Sequence, residues 1–389
     1  MVMEQEQGSY EETTEELEDD EEDILELGNP KKMPVKQQKP HEGSNINPYE
    51  HMKIELNPDG SLTRLSELPT LEASVDDPYG DTRAILSKDV TINPEKKTWV
   101  RILRPKEADL QPGVRLPLVM YFHGGGFVTS SAGTVFCNNL CERAARLVPC
   151  IVVSVSYRLA PENRLPAAYE DADDALMWVK QQATDSDGGE PWLRELADFS
   201  RILLFGWNSG ANVAFHARLR SLDLDLEPLK VVGVMMTQPL LGGMERTQSD
   251  LRYADDQVLP LTVSDLTWEL ALPVGANRDH EYCNPWSSPR IREKLSKIGK
   301  VLVRGYGGDI TIDRQRALVE LLLMNGAEVV AHFDDIGFHG IDLIDSRRAV
   351  VTLNYLKDFI KSTFPKPKAP LRSHSHSHSS SMFPSPEVY

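Results

Sequence analysis

The sequence predicts an α/β fold, in which a largely parallel β-sheet is covered by helices on both faces. One observation behind this is that short apolar runs rich in β-branched residues recur along the chain, as buried parallel strands do. The other is that segments with helical patterning alternate with those runs. The chain has 389 residues, enough for one large α/β domain or two smaller ones, and it contains no internal repeat.

The elements follow one another in a regular order. Residues 48–75 read as a lead-in, in which residues 57–60 carry the Pro, Asp and Gly of a turn, and residues 88–94 lead into an outer strand. The apolar runs predict strands at residues 98–103, 116–122, 151–156, 202–205, 231–236, 301–303 and 328–333. The patterns between and after them predict helices at residues 138–147, 167–182, 211–219, 314–324 and 346–360.

Residues 240–285 interrupt this alternation and read as loops with short helices. An insertion that follows a strand in this fold class often forms part of a lid or a pocket wall. The alternative is a structural excursion that makes no ligand contact.

Both ends of the chain differ in composition from the middle. The formal net charge is −17, and thirteen acidic residues lie in residues 1–29, which contain no Lys or Arg, so that −4 remains for the rest. We expect residues 1–45 to be a disordered acidic tail, either an interaction segment or a solubilising extension. Residues 365–389 are rich in Pro and Ser and are expected to form a second tail, whose alternating histidines either bind a metal weakly or have no such role. The α/β domain is then residues 46–364.

The cysteines and the chain ends bear on location. Cys137, Cys141, Cys150 and Cys283 form no C-x-x-C pair, which fits free thiols in a reducing compartment. The N-terminal residues have no signal or transit-peptide pattern, and no apolar run reaches the roughly 18 residues of a membrane span. We therefore expect a cytoplasmic protein, with the nucleus as an additional location, and we expect no membrane or nucleic-acid partner, no cofactor and no metal centre. Nothing in the sequence specifies the oligomeric state.

The segment Gly206-Trp-Asn-Ser-Gly210 lies between a predicted strand and a predicted helix. A G-x-S-x-G sequence in that setting is a nucleophile elbow, whose glycines allow a sharp strained turn against the neighbouring elements. Here the central residue is Asn208 rather than Ser.

A second glycine-rich segment, His123-Gly-Gly-Gly-Phe127, follows the predicted strand at residues 116–122. A lone glycine run is more often only a turn, but upstream of an elbow this form is typical of an oxyanion-hole loop. We expect the backbone N–H groups of Gly124, Gly125 and Ser209 to be the donors.

Two further residues stand where the base and its orienting acid are expected. Asp309 follows the strand at residues 301–303, and His339 lies in Gly337-Phe-His-Gly340 after the last strand. The alternatives are a helix N-cap for Asp309 and a satisfied buried imidazole for His339. Because nucleophile, acid and histidine would then come in hydrolase order, we expect Asn208, Asp309 and His339 to converge at one edge of the sheet.

Several short motifs occur together along the chain. They are His123-Gly-Gly-Gly-Phe127, Tyr157-Arg-Leu-Ala-Pro-Glu162, Leu165-Pro-Ala-Ala-Tyr-Glu-Asp-Ala172, Gly308-Asp309, Trp268, Leu272-Pro-Val-Gly275, Arg278-Asp-His-Glu-Tyr282 and Asn284-Pro285. Together they resemble the hormone-sensitive-lipase-like α/β-hydrolases and, within them, the plant carboxylesterase branch, and the similarity extends over residues 48–364. The resemblance implies the α/β-hydrolase fold, a small cap built from the N-terminal segment and residues 240–285, and ester hydrolysis through Ser, Asp and His. The same branch is similar to the gibberellin receptor, a non-catalytic member that binds a small acid under its N-terminal lid.

By this resemblance His339 is the base, Asp309 its orienter and Asn208 stands in the place of the serine. The residue before it, an Asp in the family, is Trp207 here. A carboxamide has no hydroxyl for His339 to deprotonate, and loss of a triad nucleophile costs on the order of a millionfold in turnover. Asn nevertheless tolerates the positive φ of an elbow and could hydrogen-bond His339.

Two hypotheses of function follow. The first is a carboxylesterase-family hydrolase of small carboxylic esters with weak or altered turnover. The second is a non-catalytic protein that binds a small ester or carboxylic ligand on the same scaffold. Ser209 as a substitute nucleophile and deamidation of Asn208 to Asp are minor routes to activity, and nothing in the sequence promotes the latter. The expected pocket lining, Phe127, Tyr157 and residues 240–285, suggests a small, partly apolar compound.

Overall fold

The computed structural model describes residues 45–75, 84–106, 113–185 and 187–363. The two predicted tails lie outside these residues, apart from Asn45, so the proposed domain boundaries stay a prediction. Within the described ranges, no helix is both long and apolar enough to cross a membrane.

Ten strands are present in the described residues, and two of them form a small separate hairpin. Their bounds are β1 Ile54–Leu56, β2 Leu62–Arg64, β3 Ile85–Asn93, β4 Thr98–Pro105, β5 Leu116–Phe122, β6 Ile151–Ser156, β7 Ala197–Trp207, β8 Val231–Thr237, β9 Lys300–Tyr306 and β10 Glu328–Asp334.

Eleven α-helices lie between and after these strands in the same ranges. Their bounds are α1 Pro48–Met52, α2 Val135–Leu147, α3 Ala167–Thr184, α4 Pro191–Leu196, α5 Ser209–Ser221, α6 Gln248–Arg252, α7 Leu261–Ala271, α8 Pro289–Leu295, α9 Ile312–Met324, α10 Ile341–Ile344 and α11 Ser346–Ser362.

The main sheet has eight strands in the order β10-β9-β8-β7-β5-β6-β4-β3. The six strands β10, β9, β8, β7, β5 and β6, neighbours in that order, pair in parallel. Strand β4 pairs antiparallel with both β6 and β3. The predicted largely parallel sheet is therefore confirmed. β7 lies near the middle, between β5 and β8, so its carboxyl end opens at the centre of the sheet edge where ligands bind in open α/β sheets.

Side chains of the central strands alternate between two core layers. On β7, Ile202 and Leu204 pack into the layer covered by α3 and α5, while Leu203 and Phe205 pack into the layer covered by α2 and α11. A strand buried on both faces needs apolar residues at every position, which explains the unbroken apolar sequences of β5 and β7 near their carboxyl ends. Helices on both faces follow from the same requirement.

Sequence patterning located most elements and missed the polar ones. The strands at residues 116–122 and 151–156 are confirmed with the same bounds. β3 was read only as a lead-in because its solvent-facing positions are polar, as on an edge strand. The β1–β2 hairpin and α4 were also missed. The first residues of β7 were missed because most of them are polar and partly exposed.

Residues 240–285 contain α6 and α7 joined by loops, in agreement with the sequence reading. Ile46, just before the N-terminal lead-in, contacts this segment: Thr262 Oγ1 on α7 donates a 2.9 Å hydrogen bond to the Ile46 carbonyl. The lead-in itself contacts the glycine-rich loop region, because Arg64 Nε donates to the Val128 carbonyl at 2.8 Å. The segments expected to form a cap thus contact one another, and the N-terminal one also contacts the loop that follows β5.

Candidate active site

The turn between β7 and α5 has the backbone of a strained elbow. Asn208 has φ 54° and ψ −121°, a conformation that L-residues rarely adopt. A Cβ on Gly206 would lie 2.0 Å from the Gly210 carbonyl oxygen, and one on Gly210 would lie 1.9 Å from the Phe122 carbonyl oxygen. Glycine is therefore required on both sides of Asn208, and close packing of β5, β7 and α5 holds the turn in place.

The structure brings the three predicted side chains together at the carboxyl edge of the sheet. Asn208 Nδ2 lies 2.7 Å from His339 Nε2, and His339 Nδ1 lies 3.0 and 3.1 Å from the two carboxylate oxygens of Asp309. All three residues are buried. Each follows a different strand, β7, β9 or β10, so parallel strands deliver them to one place.

The hydrogen bonds also fix the orientation of the carboxamide and the tautomer of the histidine. The Gly126 N–H donates to Asn208 Oδ1 at 3.1 Å. A backbone donor cannot face an amide nitrogen, so Asn208 directs its oxygen at Gly126 and its NH₂ at His339. His339 Nε2 must then be the acceptor, and its proton lies on Nδ1, facing Asp309.

Asp309 is the most heavily hydrogen-bonded member of the group. Its carboxylate accepts from Thr311 N at 2.8 Å, from Thr311 Oγ1 at 2.9 Å and from Gln315 Nε2 at 2.9 Å, in addition to His339. Burial alone would raise the pKa of Asp309, but the charge and hydrogen bonds of His339 and Thr311 hold it below its ordinary value. Asp309 is not the N-cap of α9, because that position is held by Thr311, but its carboxylate accepts from the N–H of this N-cap residue while it also contacts His339.

His339 experiences two opposed influences. Burial lowers its pKa, whereas the Asp309 carboxylate raises it, and the net result is a pKa above the ordinary value. The Asn208 NH₂ group works against protonation, because a protonated Nε2 would face it donor to donor. The carboxamide thus favours the neutral imidazole, whereas the carboxylate favours the protonated one.

The glycine-rich loop supplies a donor that sequence reasoning missed. Gly124, Gly125 and Ser209 were the expected donors, and the donor that contacts Asn208 is Gly126. Gly124 lies against the indole of Trp207, where a Cβ would approach Cε3 to 2.3 Å. Gly125 and Gly126 have φ 103° and 64°, which only glycine adopts without strain. The signal was present, since Gly126 is the third glycine of the same run.

His123 and Tyr157 hold the glycine-rich loop in shape. Their rings stack with centroids 4.1 Å apart, and Tyr157 Oη donates to the His123 carbonyl at 2.7 Å. Burial lowers the pKa of His123 to about 4, so its ring is neutral. Tyr157 was expected to line the pocket together with Phe127. Both belong to the hydrophobic core, where the ring centroids of Phe127 and Trp268 lie 5.5 Å apart, and their role as pocket lining stays a prediction.

Gln238 was not foreseen and connects the whole group. It follows β8 with φ 47°, and its Nε2 donates to Asp309 Oδ2 at 2.7 Å and to the Phe338 carbonyl at 3.0 Å. Its Oε1 accepts from Trp207 Nε1 at 3.2 Å and from Gly340 N at 3.0 Å. One amide therefore ties the elbow, the acid and the histidine loop together.

Ser209 is the residue after the elbow centre. Its hydroxyl is buried beside the hydroxyl of Tyr157, whereas the group facing His339 Nε2 is the Asn208 carboxamide. All four cysteines are buried and unbridged. In the described part of the chain, no group of three or more His, Cys, Asp or Glu side chains is placed to hold a metal ion.

Comparison with known proteins identifies relatives over most of the chain. Residues 119–343 match a family model described as the α/β hydrolase fold. A probable carboxylesterase of Arabidopsis thaliana is 49% identical over 81% of this chain and 97% of its own length. A 3-O-acetylpapaveroxine carboxylesterase of Papaver somniferum is 42% identical over 80% of this chain and 97% of its own. A gibberellin receptor of Oryza sativa subsp. japonica is 38% identical over 55% of this chain and 57% of its own.

Solved structures of esterases share the fold. A hyperthermophilic esterase from the archaeon Pyrobaculum calidifontis superposes with a TM-score of 0.60 and 25% identity, covering 71% of this chain and 83% of that one.

Proposed function

This chain belongs to the plant carboxylesterase branch of the α/β-hydrolase family, and on that premise we propose that it binds small carboxylic esters and hydrolyses them only slowly. The observation that carries the proposal is the hydrogen-bonded series Asp309–His339–Asn208, in which the base and its orienting acid are retained and the nucleophile is not. A relative that is named for hydrolysis of an acetyl ester supports the substrate class.

The retained groups support acid–base chemistry without a covalent intermediate. His339, supported by Asp309, can deprotonate a water once the hydrogen bond from the Asn208 NH₂ to His339 Nε2 is broken. The N–H of Gly126 can stabilise an oxyanion. Oxyanion stabilisation and binding alone leave a residual acceleration of about 10³ to 10⁴ over water in a triad enzyme that has lost its nucleophile. We therefore expect a rate far below that of a serine esterase and above that of buffer.

A non-catalytic binding protein is the second candidate function, and one observation favours it. The Asn208 carboxamide hydrogen-bonds both His339 Nε2 and the Gly126 N–H. The base that would activate a water and the donor that would stabilise the oxyanion are therefore already occupied. The receptor relatives make a small carboxylic compound the natural ligand class for this alternative.

Hydrolysis of p-nitrophenyl acetate by wild type and His339→Ala separates the two candidates. A wild-type rate above buffer that falls in His339→Ala supports slow hydrolysis. Equal rates for both proteins and buffer contradict it and favour the binding protein.

The same assay on Asn208→Ser tests whether the rest of the site is competent. Restoring the hydroxyl can recover part of the roughly 8 kcal/mol that a lost nucleophile costs, and the indole of Trp207 limits the gain by crowding the elbow. The double variant Asn208→Ser, His339→Ala should lose that gain. A fast wild type that Ser209→Ala abolishes would show instead that Ser209 is the nucleophile.

A further inference from the structure

We propose that the carboxamide of Asn208 is itself a substrate of this site, and that the folded chain converts it to a carboxylate with release of ammonia. The inference rests on the site geometry used above and is independent of whether any ester is turned over. It concerns a covalent change at the position where the family has its nucleophile.

The first support is the way the carboxamide is bound. Its carbonyl oxygen accepts the Gly126 N–H at 3.1 Å, and its nitrogen lies 2.7 Å from His339 Nε2. In acyl transfer the carbonyl oxygen needs a donor where negative charge develops, and the leaving nitrogen needs an acid within hydrogen-bond reach. Asn208 presents its oxygen to such a donor and its nitrogen to His339 Nε2, which accepts a hydrogen bond at rest and becomes the acid once it has taken a proton; the Asp309 carboxylate supports that step.

The second support is the backbone of the elbow, which brings the next amide nitrogen toward the side chain. Closing a five-membered imide on Asn208 needs Cβ and the Ser209 nitrogen to be eclipsed about the Cα–C bond. Because Cβ is rotated by about 120° from the residue's own nitrogen about that bond, this occurs near ψ −120°. Asn208 has ψ −121°. Ser209 is the first residue of α5, so its N–H has no acceptor within the helix.

The reaction balances with water as the only co-reactant. The Ser209 nitrogen attacks Cγ of Asn208, and its proton passes through His339 to the departing NH₂, which leaves as ammonia. The oxyanion formed on Oδ1 is held by the Gly126 N–H. Water then opens the imide at either carbonyl, restores the amide N–H and gives aspartate or isoaspartate at position 208.

A neighbouring asparagine provides an internal control. Asn212 lies one turn along the same helix and is buried. Its amide donates to the carbonyls of Leu240 and Tyr282, and its oxygen accepts from Tyr169 Oη. Neither a base nor an elbow backbone is present there, so Asn212 should stay an amide.

An aspartate at position 208 would alter the site. A carboxylate can act as a nucleophile where a carboxamide cannot. It would also place a second negative charge beside His339 and raise the pKa of that imidazole further. Freshly made and aged protein would then differ in chemistry, with the amide form as the precursor.

The test is mass spectrometry of peptides from the purified full chain, incubated at neutral pH and sampled over time. We expect residue 208 to convert through the imide to aspartate and isoaspartate at least about tenfold faster in the folded protein than in urea, as base catalysis allows. Asn212 should remain unchanged, and Asp309→Asn and His339→Gln should each slow conversion by about tenfold or more. Circular dichroism of both variants establishes that they are folded.

Three results would overturn the proposal. One is equal rates at residue 208 in the folded and urea-unfolded chain. Another is a folded His339→Gln or Asp309→Asn variant that converts as fast as wild type. The third is aspartate with no imide or isoaspartate, which would remove the attack by Ser209. None of these results depends on p-nitrophenyl acetate hydrolysis, so a failure here is distinct from a failure of the proposed function.

Discussion

Replacing Gln238 by Met should loosen the candidate active site and destabilise the protein. Met has a similar volume but neither donates nor accepts the hydrogen bonds of the amide. The substitution removes a 2.7 Å bond to the Asp309 carboxylate. It also leaves two buried donors, Trp207 Nε1 and Gly340 N, without their acceptor.

The magnitude follows from these lost contacts. A hydrogen bond to a charged group contributes about 1.5–3 kcal/mol, and each buried donor left unpaired costs about 1–3 kcal/mol. Asp309 keeps His339, Thr311 and Gln315 as partners. Since such terms are not additive among neighbours, we expect a loss of about 4 kcal/mol. For a domain of this size that corresponds to a fall in Tm of about 8 °C.

Gln182→Met is the matched control. Gln182 is also buried and makes two hydrogen bonds, to the Trp178 carbonyl at 3.0 Å and from Glu190 N at 2.8 Å, at the end of α3 and away from the site. Its Tm should fall by only about 3 °C, since one donor at most is left unpaired.

Kinetics distinguish a positioning role from a merely structural one. In the Asn208→Ser background, Gln238→Met should lower kcat for p-nitrophenyl acetate about tenfold with little change in KM, because the acid and the histidine loop lose their alignment. Gln182→Met should leave both constants unchanged. Equal Tm losses in the two Met variants, or an unchanged kcat in the Gln238 variant, would refute the reasoning.

Three further predictions concern stability. Asp334→Ala should cost about 3–5 kcal/mol in chemical denaturation, because it removes the carboxylate that pairs at 2.5 Å with the fully buried guanidinium of Arg304, whereas Asp358→Ala, which removes an ion pair whose two side chains are 61% and 74% exposed, should change little. Burial raises the pKa of Asp342 from 3.8 to about 6, so the folded state holds a proton that the unfolded chain has lost between those pH values. The contribution of Asp342 to the free energy of unfolding should therefore fall by up to about 3 kcal/mol as the pH rises from 4 to 6, while carboxylates with a lowered pKa such as Asp309 contribute with the opposite sign, and Asp342→Asn should remove the share of Asp342; an equal slope in both proteins would contradict it. Deleting residues 1–40 and 366–389 should leave Tm almost unchanged, since the composition of these segments can bury little apolar surface, and a loss of several degrees would show that one of them packs on the domain.

The hydrophobic pattern of the sequence was sufficient to predict the central strands of the sheet and insufficient to predict its edge strand. β5 and β6 are buried at every position, so their apolar, β-branched residues marked them unambiguously. β3 lies at the sheet edge, where only alternate positions are covered, and its Lys and Asp residues hid the strand. An edge strand is identified by its pairing with a neighbouring strand, and a single sequence does not show that pairing.

The same distinction applies to the site. Asn208, Asp309 and His339 each follow a strand in a short glycine-containing segment, and strand order alone predicted that they would meet. Gln238 has no such marker, because its importance comes from four contacts to residues far apart in the chain. Gly126 was missed for another reason: which of three consecutive glycines points its N–H at the elbow depends on φ values that the sequence leaves free.

The glycines flanking Asn208 have a consequence for protein engineering. The clashes that a side chain would cause at Gly206 and Gly210 involve backbone atoms only, so the shape of the turn does not depend on the side chain at its centre. The residue at position 208 can therefore be exchanged while the backbone around it keeps its shape. Serine, cysteine and aspartate could be installed there one at a time and compared as nucleophiles against an identical base and an identical oxyanion donor. Asparagine accepts the positive φ with less strain than serine does, so Asn208→Ser should gain reactivity at some cost in stability.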